Sequence, residues 1–140
     1  MRTASYRLVD VDSLDEFEES ESFSCASDGP NESEVRGFLE SNQLEKALIS
    51  CLFPLFTTDQ EEKDRVILLV SSVLNAFKHS EIEETASKLS TEQGDVLMKY
   101  VYKAMELSAD SHTLLSWHSC LVSKFGHGAI MRVFTCRNRL

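Results

Sequence analysis

The chain has 140 residues, of which 42% are apolar and 26% charged, the make-up of one ordinary globular domain with enough apolar material for a core. Its net charge of −9 is uneven: residues 1–34 hold ten acidic side chains against Arg2 and Arg7, a balance of −8, and residues 35–140 carry thirteen against twelve, a balance of −1. A near-neutral body behind an acidic tail excludes sequence-independent nucleic-acid binding and attraction to an anionic membrane surface, both of which need a cationic face.

No stretch approaches the ~20 apolar residues of a membrane span. The N-terminus, MRTASYRLVDVDSLDEFEE, lacks the apolar centre of a signal peptide. Cys25, Cys51, Cys120 and Cys136 show no paired spacing and read as reduced cytosolic thiols.

Residues 1–33 read as an acidic, flexible arm. From Ser13 to Asn31 the sequence is mainly Glu, Ser and Asp, and buries too little to offset its ordering entropy. Within it, Tyr6 to Asp12 alternates apolar and charged residues. Two readings stay open there, an extended strand laid on a surface and plain disorder.

The helical domain is expected over 34–140. Asn31-x-x-Glu34 caps a short helix with Val35, Phe38 and Leu39 inward. Ser41-Asn42 interrupts it, and Leu44, Ala47, Leu48, Cys51 and Leu52 continue at helical spacing to Pro54, an αα-hairpin. Asp59-x-x-Glu62 precedes the strongest helix, with Val66, Leu69, Val70, Val73, Leu74 and Phe77 on one face. Ile67 and Leu68 widen that stripe, which places this helix at the centre of the domain.

Ser80-x-x-Glu83 predicts a capping box opening a helix that turns Ile82, Ala86 and Leu89 inward. Gly94 is expected to break the chain, so that the next helix starts at Asp95. Its faces are Leu97, Tyr100, Val101 and Ala104, and then Met98, Tyr102 and Met105. Ser108 or Asp110 caps the following helix, whose stripe is Leu114, Leu115, His118, Leu121, Val122 and Phe125, and Gly126 stops it. A last helix carries Ile130, Val133 and Phe134. The fold class is therefore all-α: about seven helices stacked as hairpins in an α-α superhelix.

Catalytic and metal chemistry is absent from the pattern. His112 and His118 stand about 240° apart around a helix and His118 and Cys120 about 200°, so no pair of ligands shares a face. The clusters Glu61-Glu62 and Glu81, Glu83, Glu84 fall in first turns, where they favour the helix dipole. Trp117 is a packing aromatic, spaced by four from Leu121 and Phe125. The basic end, Lys124, Arg132, Arg137 and Arg139, suits either helix C-termini or an acidic partner.

These residues carry a resemblance. The block from Gly94 to Lys103, the segment Leu114 to His118, and Ile130 to Thr135 resemble hallmarks of the subunit 5 (16 kDa subunit) family of the actin-related protein 2/3 complex. Tyr6 to Asp12 followed by Asp15-Glu16 resembles that family's N-terminal motif, and Lys63 to Arg65 and Glu81 to Glu83 fall in step. The resemblance implies a non-enzymatic structural subunit, without cofactor, of the complex that nucleates branched actin filaments in the cytoplasmic actin cytoskeleton of cell projections and lamellipodia. It implies a body docked on subunit 4 and near the WD-repeat propeller subunit 1. It also implies an arm, Tyr6, Arg7, Val9, Asp10, Val11 and Asp12, that tethers actin-related protein 2, and contact with the actin filament through the complex. A strap of ~18 residues from Ser13 to Pro30 spans at most ~60 Å. Arg132, Arg137 and Arg139 are the candidate partner contacts on the body. The Ser-rich stretch after Glu16, the turn Phe125 to Gly128, Ser41 in the hairpin and the end Cys136 to Leu140 depart from the family pattern. The alternative is a helical protein–protein adaptor unrelated to actin.

Overall fold

The computed structural model describes residues 29–53, 55, 57, 59–107 and 111–136. Among them are seven α-helices and no strand: α1 (Glu32–Glu40), α2 (Leu44–Cys51), α3 (Gln60–Ala76), α4 (His79–Lys88), α5 (Thr91–Leu107), α6 (His112–Phe125) and α7 (Gly128–Thr135). The all-α superhelix expected from the periodicities is the observed fold. Tyr6 to Asp12, for which a strand and plain disorder both stay open, lies outside the described residues, as do Ser108 and Asp110; the residue that precedes α6 is Ser111, whose side chain makes no capping hydrogen bond.

Local chemistry sets the helix starts. Asn31 caps α1, its side-chain oxygen accepting from the Ser33 N–H at 3.3 Å, and Asp59 caps α3 from the Glu61 N–H at 3.1 Å. Asn42, at φ 56°, turns the chain between α1 and α2, a conformation asparagine tolerates better than most residues. Gly126, at φ 75°, ends α6 while its N–H donates to the Val122 carbonyl at 2.8 Å.

Two starts differ from expectation. Helix α4 opens two residues early: the Glu81 carboxylate, not that of Glu83, accepts from the Lys78 N–H at 3.1 Å, and Ser80 lies inside the helix. Helix α5 opens before Gly94. Ser90 and Gln93 form the reciprocal capping box there, the Gln93 N–H donating to Ser90 Oγ and the Ser90 N–H to Gln93 Oε1. Gly94 is thus a buried helical residue. A Cβ at this position would meet the Phe125 ring of α6 at 2.3 Å, so the missing side chain is the space that seats the ring. Glycine costs about 1 kcal/mol against alanine in a helix, and here the close approach of α6 offsets that cost.

The core runs through all seven helices, with Val35, Leu48, Ile67, Leu74, Ile82, Leu97, Leu114 and Ala129 among its buried members. Helix α3 packs on α1, α2, α5 and α6, but it is not the enclosed centre. Its Ile67 is buried and its Leu68 is 54% exposed, so the widened stripe was only half inward. The enclosed helix is α5, which packs on α3, α6 and α7 and has no exposed residue from Gln93 to Met105. Met98, expected on its second face, is fully buried. Helix α4 packs chiefly on α6.

Trp117 ties these layers. It is fully buried, donates from Nε1 to the Leu74 carbonyl at 3.3 Å, and meets the Phe77 ring edge-on at 5.2 Å.

Candidate interaction surface

Lys124 and Arg132, the described basic residues of the C-terminal end, are spent on the fold itself. Lys124 projects from the last turn of α6 to the end of α4, where its ammonium donates to the carbonyls of Ala86 at 2.8 Å and Ser87 at 2.7 Å, and to that of Leu89. A lysine from another helix therefore satisfies the orphan carbonyls of α4 and meets the negative end of its dipole. The same ammonium stands 4.9 Å from the Phe125 ring centre.

Arg132 of α7 grips Asp95 of α5 with both arms of its guanidinium, Nε to Oδ2 at 2.8 Å and Nη2 to Oδ1 at 2.9 Å. Hydrogen bonding to Asp95 raises the Arg132 pKa further. The fork that was a candidate partner contact is thus already engaged within the chain. Arg137 and Arg139, and the arm residues Tyr6, Arg7, Val9, Asp10, Val11 and Asp12, lie outside the described residues.

His118 and the described cysteines Cys51, Cys120 and Cys136 also have contacts or burial within the body. His118 Nε2 shares a hydrogen bond of 2.9 Å with the Tyr102 hydroxyl. Burial pushes the Cys51 thiol up to about 11, and burial, then the Glu83 charge, raises Cys120. Such thiols are poor nucleophiles at neutral pH. Lys99 Nζ reaches Cys136 Sγ at 2.9 Å, joining α5 to the end of α7.

Among its exposed polar residues the body also presents apolar side chains to solvent. Phe134 and Met131, one helical turn apart on α7, are each 62% exposed, although Phe134 was expected inward. The Tyr102 ring lies 5.6 Å from Phe134 and 5.3 Å from His118, and Leu115, a turn before His118, is exposed where the stripe predicted burial. Tyr102 thus joins Phe134 and His118 into a ridge across α5, α6 and α7. Periodicity missed it because α7 is apolar at four of its eight positions (Ala129, Ile130, Val133 and Phe134) as well as at Met131, more than one face can bury. Exposed apolar area of this kind gains free energy when another protein surface covers it.

Fold and surface together define a superhelical all-α domain in which Lys124, Arg132 and His118 join helices and whose solvent face carries an apolar ridge. The family model for the ARP2/3 complex 16 kDa subunit (p16-Arc) matches residues 5–140. The chain is similar to a Caenorhabditis elegans protein named probable actin-related protein 2/3 complex subunit 5, at 51% identity over 100% of both chains. It is also similar to subunit 5-C of that complex from Xenopus laevis, at 38% identity over 96% of this chain and 94% of the relative. A subunit 5-like protein from Homo sapiens shares 36% identity with the same coverage. The chain belongs to the ARP2/3 complex 16 kDa subunit family.

Proposed function

We propose that this protein is a non-catalytic structural subunit of an actin-related protein 2/3 complex, serving the nucleation of branched actin filaments in the cytoplasmic actin cytoskeleton. The observation that carries the reading is the family match, which runs through the arm and the body alike, from residue 5 to residue 140. Within the body, His118, Lys124 and Arg132 each bond to a residue of another helix, which suits a structural role.

In this reading the helical body docks on the neighbouring scaffold subunits, subunit 4 and the WD-repeat propeller subunit. The ridge of Tyr102, Leu115, Met131 and Phe134 supplies apolar area for docking, and Arg137 and Arg139 meet partner carboxylates. Arg132 reaches a partner only by sharing the guanidinium held by Asp95. The arm, residues 1–33, carries a gripping segment at Tyr6, Arg7, Val9, Asp10, Val11 and Asp12 that tethers actin-related protein 2. Tethering raises the effective concentration of the held partner even where the arm's own contacts are weak.

Purification of the tagged protein from its own cells tests the assignment. Actin-related proteins and the propeller subunit are expected to co-purify, and their absence sinks it. Deletion of residues 1–12 is expected to leave the body bound to its scaffold and to weaken retention of actin-related protein 2. Unchanged retention removes the tether.

A further inference from the structure

Two rungs join α5 to α7. Asp95 and Arg132 form the first, the bidentate pair at 2.8 and 2.9 Å. Lys99 and Cys136, each one helical turn further along, form the second, with Nζ 2.9 Å from Sγ. The first rung sets the register of α7 on α5 and so holds this nitrogen and sulfur together. Lys99 and Cys136 are half-buried, and each keeps part of its surface open to solvent. The other described cysteines are placed differently. Cys51 is fully buried and its thiol is pushed up to about 11, and Cys120 is raised by burial and then by the Glu83 charge. A neighbouring ammonium acts the other way: it favours the thiolate, the form that a peroxide oxidises.

We propose that Lys99 and Cys136 form a modification site for hydroperoxides, at which oxidation closes a covalent sulfur–nitrogen bond between α5 and the end of α7. The Cys136 thiolate attacks one oxygen of hydrogen peroxide and the O–O bond breaks. Sulfur, oxidised by two electrons, becomes a sulfenic acid, and hydroxide leaves. That hydroxide takes a proton from the Lys99 ammonium. The freed amine attacks the sulfur, the S–O bond breaks, and the departing hydroxide removes a second proton from nitrogen. One thiolate, one ammonium and one peroxide thus give one sulfenamide and two waters. Sulfenic acids close on nitrogen in this way. The 2.9 Å separation lies within the ~3–3.5 Å from which bonds form. Thiols reverse the bond: one attacks the sulfur and expels the amine, and a second releases Cys136 with formation of a disulfide. While it lasts, the bond latches the end of α7 beside the exposed Phe134.

The test treats the purified full chain with hydrogen peroxide, then uses trypsin and mass spectrometry. A linked peptide holding Lys99 and Cys136 is expected, uncleaved after Lys99 and about 2 Da lighter than its two reduced parts together, and dithiothreitol should separate them. Lys99→Arg keeps the charge and should abolish the linked peptide. Lys103→Arg, on the same helix and paired with Glu106, should not. Cys136 left unmodified, or carried to sulfinic or sulfonic acid with no linked peptide, overturns the proposal. Linkage that survives Lys99→Arg overturns it too. The Cys136 N–H donates to the Arg132 carbonyl at 3.1 Å, and in the linked protein it should exchange with solvent at least about five-fold more slowly. Unchanged exchange removes the latch.

Discussion

Replacing Trp117 with phenylalanine separates the two contributions of this side chain. The ring that remains still fills most of the site and can still meet Phe77 edge-on. The Nε1 donor is lost, but the Leu74 carbonyl keeps the Phe77 N–H at 3.4 Å and is not orphaned. The hydrogen bond therefore contributes about 1 kcal/mol, the net value of an ordinary one. The missing part of the indole leaves a void of ~40 Å³, which at ~24 cal/mol per Å³ costs about 1 kcal/mol more. Trp117→Phe should thus destabilise by about 2 kcal/mol, and Trp117→Ala by about 3–5 kcal/mol. For a domain this size, the first corresponds to a fall in Tm of roughly 10 °C. Urea unfolding followed by far-UV circular dichroism measures both variants, and the emission of the single tryptophan gives an independent trace for the wild type. A Trp117→Phe variant within 0.5 kcal/mol of wild type, or one as damaged as Trp117→Ala, refutes this division.

Further outcomes follow from the packing. Lys124→Met removes three charge-assisted bonds to the α4 terminus and should cost about 1–2 kcal/mol, discounted because water still reaches the ammonium; the urea midpoint should fall at unchanged slope. Gly94→Ala should destabilise the wild type by displacing Phe125, and should stabilise the Phe125→Ala variant by up to about 1 kcal/mol, a reversal of sign that a double-mutant cycle detects. Cys51 is held protonated by burial up to about 11, against an ordinary 9.0. The unfolded chain releases that proton first, so the folded state binds more protons in this window. Its contribution to stability is fully present below pH 9 and is lost as pH rises from 9 to about 11. Tyr100, raised in the same direction by burial, extends the loss upward. Cys51→Ala should flatten the decline between pH 9 and 11 in pH-dependent urea midpoints.

Much of the fold is legible from short-range chemistry. Asn31 and Asp59 announce α1 and α3 because a cap and its N–H partner are two residues apart. Val70, Val73 and Leu74 are inward because their spacing allows nothing else. The misreadings have causes beyond the reach of local pattern. Gly94 looks like a breaker because glycine weakens helices, and what reverses this is Phe125, thirty-one residues away. Ser80-x-x-Glu83 and Ser90-x-x-Gln93 look alike as strings, but the first start falls at Lys78, where the Glu81 carboxylate accepts from the backbone N–H. Lys124 looks like a cation serving its own helix end, because the carbonyls it reaches belong to α4. Leu115 and Phe134 fall in the predicted inward stripes yet are exposed, since an apolar residue at the surface and one facing the interior obey the same periodicity.

The bridge from Lys124 also bears on the order of events in the folding chain. Helix α4 has ten residues, too few to persist alone in water. Its last carbonyls are completed by a residue thirty-five to thirty-eight positions later, on α6. The end of α4 cannot mature until α6 has formed and come to rest beside it. The two helices therefore open and close as one cooperative unit, and slow amide exchange in α4 reports on the docking of α6.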